Sequence, residues 1–393
     1  MEKIVFTEEF CSPEGLFPFT LTRQIQDLRV GLLTIREKWE RLLGLPSFDK
    51  QEGDYKDREG SLEITGETVG KDVLYLIHGN IIPTPALARQ VQNLRPGEFL
   101  SLPEKENFIY CVSKKQVIDA NRIKMEKSVE VSAEFRELWY PWDIVRHNGW
   151  AIEHDFNLLT AKRKSQGAPR TTSMVNAARI FIEKGARVDH CILNATEGPI
   201  YIGNGAQLME GCLLRGPVAI GEGATVKMGT RIYGATTVGP WCTVGGEIKN
   251  SVLFGYSNKA HDGYLGDSVL GEWCNLGAGT SNSNVKNNAS VIRVYTPGGI
   301  REAGTKCGMF MGDYSRTAIN SSINTGTVIG ACCNVYGSGL PPKYIPSFSW
   351  GQEGIERYDI EKALEHIGNW KKMKGQELSA REIEILRTVH QRY

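Results

Sequence analysis

Between Asn258 and Lys286 the chain reads NKAHDGYLGDSVLGEWCNLGAGTSNSNVK, a histidine, a tyrosine, asparagines and a lysine set among glycines and other small residues. Seven histidines are scattered through the sequence, and His261 alone stands beside such a set. An imidazole ordinarily titrates near neutral pH, so it suits a general base that takes a proton from a reacting amine. Acyl transfer to that amine also develops an oxyanion, and glycine-rich turns supply backbone N–H donors for one.

Groups of this kind need a rigid frame, and the sequence predicts one. Aliphatic residues recur every six positions at Ile202, Leu208, Leu214, Ile220, Val226, Ile232, Val238 and Val244. Four places after them come small or β-branched residues, at Ala206, Cys212, Val218, Ala224, Thr230, Thr236 and Cys242. This pattern predicts a parallel β-helix of hexapeptide repeats, with the aliphatic residue inward and the small one near a corner. The phase is lost after Val244 and resumes two residues out of step at Leu270 and Leu276, which predicts a loop that leaves the coil and carries His261. A second run follows at Met311, Thr317, Ile323, Ile329 and Val335, with a further irregular insertion over residues 282–305. Loops that leave a rigid repeat are a usual place for function.

The pattern resembles that of known hexapeptide proteins. That resemblance implies a left-handed coil of triangular section with three hexads to a turn. Arg231 and Lys249, eighteen residues apart, would then stack on one face of adjacent coils. Strands of adjacent coils lie about 4.8 Å apart. Two cations that close repel by about 1 kcal/mol even in water, and an anion held between them would relieve the strain. The plain alternative is that both side chains fan into solvent.

A chain of 393 residues exceeds one ordinary core, so more than one domain is expected. Its 46 basic and 45 acidic residues are nearly balanced, which argues against a general nucleic-acid or membrane-surface role. No apolar run has the length of a membrane span, and MEKIVFTEEF carries acids where a signal peptide wants bases. The nine cysteines form no CxxC pair, and several fall at small-residue positions of the repeat. They read as buried thiols of a cytoplasmic protein, neither disulfides nor metal ligands.

In the first part, strands are expected at Lys3–Phe6 and Val73–Ile77, and helices over Ile25–Leu43 and Pro85–Leu94. Alternation of this sort suggests an α/β layer structure. Tyr140–Phe156 is aromatic without a clear period and reads as a docking segment. The polar, basic AKRKSQGAPR that follows makes a boundary. Pro341, Pro342 and Pro346 are expected to end the repeat, after which Ile355–Met373 and Ala380–Tyr393 read as capping helices. Ser379 and Glu382 make a capping box for the second. The expected organisation is thus residues 1–165 as an α/β domain, 166–340 as the β-helix and 341–393 as a helical tail.

Gly15–Gly44, GLFPFTLTRQIQDLRVGLLTIREKWERLLG, resembles the signature segment of sugar-1-phosphate nucleotidyltransferases through Thr20, Thr22, Arg23, Leu28, Val30, Glu37 and Lys38. It departs from it as well. CSPEG replaces the glycine-rich phosphate loop, Gln24 and Ile25 stand at the proline–lysine positions, and Asn80 stands where the family has a metal-binding aspartate. A neutral amide is a poor partner for Mg²⁺. The resemblance therefore implies a diverged nucleotidyltransferase-like domain without catalysis, in which Arg23, Arg29 and Lys38 either bind a phosphate or serve as ordinary surface cations.

The second half resembles the acetyltransferase domain of the bifunctional N-acetylglucosamine-1-phosphate uridylyltransferase/glucosamine-1-phosphate acetyltransferase family, best over Thr230–Lys286 and through the words YLGD and NLGAGT. The resemblance implies a catalytic histidine at His261, with Asn284 near the reacting amine. It implies sugar-phosphate binding by Arg231, Lys249, Tyr264 and Asn275, and an acetyl-CoA site at Ala278. Departures occur at Val285, after Asn284, and at the acyl-CoA serine, which is Asp313 here. The family's next lysine has no counterpart in register, so Lys286 or Arg293 would have to serve. Acetyl-CoA as cosubstrate, an amino-sugar phosphate as acceptor and a homotrimer are implied with it. Two rivals stand beside this reading: a sugar-1-phosphate nucleotidyltransferase with a structural β-helix, and a non-enzymatic trimeric structural protein. The loss of the Asn80 carboxylate argues against the first, and the intact His261 set against the second.

Overall fold

A computed structural model describes residues 1–8, 11–48, 57–58, 61–62, 69–102, 108–119 and 122–393. The chain divides into two compact units. The first comprises Met1–Pro13, Gln24–Leu28 and Leu33–Trp139, and the second Glu14–Arg23, Arg29–Leu32 and Tyr140–Tyr393.

The first unit is α/β. Its mixed sheet takes strands β1 (Glu2–Thr7), β2 (Ser47–Phe48), β3 (Val73–His78), β4 (Glu98–Ser101), β5 (Ile109–Val112) and β6 (Lys127–Glu130) in the order β6-β4-β5-β3-β1-β2. β1 runs parallel to β2 and β3, and β5 is antiparallel to β3 and β4. The run expected to be helical over Ile25–Leu43 is helical only at α1 (Ile35–Leu43). Thr34 starts it, accepting from the Glu37 N–H while the Glu37 carboxylate accepts from the Thr34 N–H. Gly44 ends it in the left-handed conformation. Upstream there is a single 3₁₀ turn at Ile25–Asp27, and Arg29–Leu32 belongs to the second unit. The helix α2 spans Pro85–Gln92, close to expectation.

The second unit is a parallel β-helix followed by helices. Three faces are built from stacked strands, running from Ser173–Val175 to Tyr264–Gly266, from Ile180–Ile182 to Tyr344–Ile345, and from Arg187–Val188 to Asn258–Lys259. The third face continues through Asn275 to Arg316–Thr317, Asn334–Val335 and Ser349–Trp350. The aliphatic hexad positions from Ile202 to Val244 form one buried core, and each such side chain contributes about 1.5–3 kcal/mol on burial. Small corner residues take the next coil's backbone: Cys242 accepts from the Ser257 N–H, and Ser257 from the Cys274 N–H. All nine cysteines are free, and eight of them are buried.

Three expectations change. No loop leaves the coil after Val244. Glu247–Lys249, Val252–Gly255, Asn258–Lys259 and Tyr264–Gly266 pair in register, with Ile248, Leu253 and Leu265 inward. The phase vanished because the corners shorten and because Lys259, not an aliphatic residue, stands opposite Val244. Second, Pro341 and Pro342 sit between strands and the coil resumes at Tyr344–Ile345. Third, Tyr140–Phe156 is the start of a long helix, α3 (Pro141–Thr160), with Pro141 at its first turn. The insertion after Asn282 is confirmed and holds an antiparallel hairpin of Arg293–Thr296 and Gly299–Glu302.

Asn148 on α3 is fully buried and ties the second unit together. Its Oδ1 accepts from the Gly31 N–H and the Thr237 hydroxyl, and its Nδ2 donates to the Ala235 carbonyl. Gly31 is required there, since it has φ 78° and an added Cβ would lie 2.5 Å from the Asp155 carboxylate. The tail forms α4 (Ile360–Met373) and α5 (Ala380–Arg392), the latter with the expected Ser379–Glu382 capping box.

Candidate functional site

His261 occupies a coil corner held by its neighbours' backbone. On the preceding coil Gly245 and Gly246 leave the room: added Cβ atoms would lie 2.5 Å from the Ala260 carbonyl oxygen and 2.9 Å from that of His261. On the following coil the Gly279 N–H donates to the Asp262 carbonyl at 3.0 Å. Gly263, at φ 121°, leaves 2.1 Å between a hypothetical Cβ and the Thr280 carbonyl oxygen. The corner backbone is thereby fixed on both sides, while the His261 side chain is exposed.

Three residues on, Tyr264 opens a hydrogen-bonded row. Asn284 Nδ2 donates to the Tyr264 hydroxyl at 3.2 Å and to Asp267 Oδ2, and Asp267 Oδ1 accepts from Asn250 Nδ2 at 2.6 Å. Burial, with the Asp267 charge adding to it, pushes the Tyr264 phenol up to about 12, so it stays a neutral hydroxyl. Asn250 and Asp267 stack at successive corners in the left-handed conformation, φ 47° and 48°, which short polar side chains tolerate. Asn282 pins the start of the insertion, accepting from the Gly266 N–H at 2.9 Å and donating to the Gly266 carbonyl at 3.0 Å. Asn250, Asp267 and Asn282 were not singled out from sequence, although Asp267 lies within YLGD.

Further along the same face stand Arg231 and Lys249, but not as a stacked pair. The register sets Arg231 beside Glu247 and Tyr233 beside Lys249, because this coil is two residues shorter than eighteen. The cations are therefore diagonal neighbours. Arg231 pairs with Glu247 at 3.5 Å, Tyr233 donates to Glu247 at 2.7 Å, and the Lys249 amine lies 5.9 Å from the Tyr233 ring centre. Arg231 and Tyr233 also line a cavity of about 420 Å³ with Ile192, Asn194 and Leu213.

Of the remaining expected residues, Ala278 precedes Gly279 on the coil stacked on the His261 corner, and the others lie elsewhere. Asn275 is on the third face, where it accepts from Asn258 Nδ2 at 3.4 Å. Ala278 accepts from the Asn320 N–H at 2.6 Å, and Asn320 lines a second cavity of about 380 Å³ with Tyr336 and Gln352. Lys286 is half-buried and bonds within its own loop, to the Ser290 hydroxyl and the Val291 carbonyl, while Arg293 faces Glu302 across the hairpin at 3.8 Å. Asp313 is only 2% exposed. It accepts from Arg23, from the Thr22 hydroxyl and, at 2.7 Å, from the Glu272 N–H. Arg23 also pairs with Glu272 at 3.2 Å and lies 5.2 Å from the Phe254 ring centre. The carboxylate is thus engaged in holding the Glu14–Arg23 segment. Arg29 likewise donates to the Phe254 carbonyl, and Lys38 is buried, so none of the three expected phosphate-binding cations is an ordinary surface charge.

In the first unit Asn80 follows the end of β3. It is buried, its Oδ1 accepts from the Cys11 thiol at 3.3 Å, and its Nδ2 has no partner among the described residues. Burial pushes His78 down to about 4, leaving a neutral imidazole, and pushes the Cys11 thiol up to about 12. A neutral amide in the place of a carboxylate does not suit Mg²⁺. No group of three or more histidine, cysteine or acidic side chains among the described residues could hold a metal ion.

Comparison with known proteins agrees with the resemblance. Residues 4–164 match the family model described as sugar nucleotidyl transferase. A bifunctional sugar-1-phosphate nucleotidylyltransferase/acetyltransferase of Sulfurisphaera tokodaii is 35% identical over 91 residues. That match spans 23% of this chain and 23% of the relative's length.

Removing the Asp313 carboxylate would strand a largely buried guanidinium. Asp313→Ala is expected to lower the unfolding free energy by about 3–5 kcal/mol in urea titration. A loss below about 1 kcal/mol would show that Asp313 does not anchor the segment.

Proposed function

We propose that the protein is an acyl-CoA-dependent N-acyltransferase acting on glucosamine 1-phosphate or a close amino-sugar phosphate, with acetyl-CoA as donor. The observation that carries this reading is the Tyr264–Asn284–Asp267 row beside the fixed His261 corner, with Arg231 and Lys249 on the same face. The neutral amine of the acceptor attacks the thioester carbonyl. His261 takes the amine proton, backbone N–H groups of the glycine corners steady the oxyanion, and the C–S bond breaks as CoA leaves and is protonated. Tyr264 and Asn284 orient the sugar. The phosphate lies between Arg231 and Lys249, where it competes with Glu247 for the guanidinium.

Self-association into a homotrimer fits this arrangement. Ile192, Leu213 and Val175 are exposed on the face that carries Arg231. Asn275 lies on the third face and Tyr264 on the first, and we read a site that uses both as one shared between two copies. The cavity beside Asn320 then offers room for part of the acyl-CoA. No helix among the described residues is long and apolar enough to cross a membrane, which fits small-molecule chemistry in the cytoplasm.

The test is purified protein with acetyl-CoA and a panel of amino-sugar phosphates, followed by release of free CoA. Phosphorylated amino sugars should turn over and free glucosamine should not. His261→Ala should lose about 10²–10⁴-fold in rate while remaining folded. Unchanged turnover in that variant would remove His261 from the mechanism.

The family match over residues 4–164 favours a second reading, nucleotidyl transfer by the first unit. The amide at Asn80 and the absent phosphate loop weigh against it. No appreciable pyrophosphate is expected from UTP or dTTP with Mg²⁺ and a sugar 1-phosphate; steady release would reinstate the activity.

A further inference from the structure

Lys259 occupies the interior of the coil. The strand register sets it opposite Val244, in a column that also holds Val188, Leu208 and Val226. It is 2% exposed and ranks among the largest fully buried side chains. Its aliphatic stem fills the space that a leucine or methionine would fill. Its ammonium is met by carbonyls and not by a carboxylate: Nζ donates to the Gly245 carbonyl at 3.0 Å and to the His261 carbonyl.

Those two carbonyls belong to successive corners. Gly245 lies on the coil preceding the histidine, and the chains are already bonded there by the Gly245 N–H to the Lys259 carbonyl at 2.7 Å. The amine therefore acts as an internal rivet between one corner and the next, reached from inside the prism. Burial pushes this amine down to about 8, against an upward pull from Asp262, so its placement is costly in solvation. An apolar residue of the same volume would avoid that cost. The return for the cost is local: the amine holds the carbonyl of the residue whose imidazole faces outward.

We propose that Lys259 is the positioning residue for His261, fixing from within the coil the corner that presents the imidazole to substrate. This rests on the assignment of His261 as general base. The rivet does not depend on that assignment, so the two are separable by experiment. A misplacement of about 1 Å in a reacting group costs on the order of 10²-fold in rate.

The test is Lys259→Met, with Lys259→Leu as a second apolar variant, in the full chain. Three quantities are measured: the unfolding midpoint, amide hydrogen exchange in peptides covering residues 258–266, and kcat and KM with acetyl-CoA and glucosamine 1-phosphate. The expected result is an unchanged or raised midpoint, faster exchange confined to the corner, and kcat down by about 10–100-fold with both KM values within about twofold. Unaltered exchange in a folded variant would overturn the rivet whatever the enzyme does. Faster exchange with unchanged kcat, in a protein whose His261→Ala variant is inactive, would overturn the positioning role alone. If neither variant folds, Lys259 is a determinant of the coil itself and the positioning role is rejected. Absence of turnover in the unsubstituted protein would count against the function proposed above and leave the exchange result to decide the rivet.

Discussion

Parallel pairing between successive coils gives each corner only the space left by the corners before and after it. The backbone ladder sets this spacing near 4.8 Å, and no side chain can be threaded between stacked corners. Gly245, Gly246 and Gly263 are consequences of that constraint, since Cβ atoms there would meet backbone at 2.9 Å or less. So is the rigidity of the His261 corner. A catalytic group usually needs a supporting shell of packed side chains to hold its geometry. Here the ladder supplies much of that shell, and Asn282, Asp267 and Lys259 complete it with bonds to the few groups that the ladder leaves free.

Residues that resemble a nucleotidyltransferase signature are divided, with Glu14–Arg23 belonging to the β-helix unit and Leu33 onward to the α/β unit. Arg23 and Thr22 close on Asp313, a residue that the family resemblance would have given to the acyl donor. In the α/β unit the Asn80 amide, at the position where the resemblance expects an aspartate, accepts from the Cys11 thiol.

Much of the β-helix was legible in the sequence because one physical rule, aliphatic inward every sixth residue, repeats without a miss from Ile202 to Val244. The capped tail helix was legible for a similar reason, since Ser379 and Glu382 satisfy each other's backbone locally. What failed was whatever depended on register or on distant partners. Lys259 hides an inward position behind a charged side chain, so a continuous coil read as a loop. The coil from Arg231 shortens by two residues, which moves Lys249 from a stacked to a diagonal position. Ile25–Leu43 has a helical period, yet Gly31 and the Asn148 bond hold Arg29–Leu32 as a short strand and turn within the second unit. His261 stood out by residue type, and Tyr264 and Asn284 were proposed through the family resemblance, whereas Asp267 and Asn250 become visible only when the corners are seen to stack.

The central claim is that an amino-sugar phosphate sits against the His261 corner. Carbethoxylation of histidines by diethyl pyrocarbonate, read peptide by peptide in the mass spectrometer, tests it directly. His261 and His190 are both exposed, and only the former lies at the site. Saturating glucosamine 1-phosphate should slow modification of His261 severalfold and leave His190 unchanged. Equal rates at His261 with and without the sugar phosphate, under conditions where binding is verified, would place the ligand elsewhere and contradict the account.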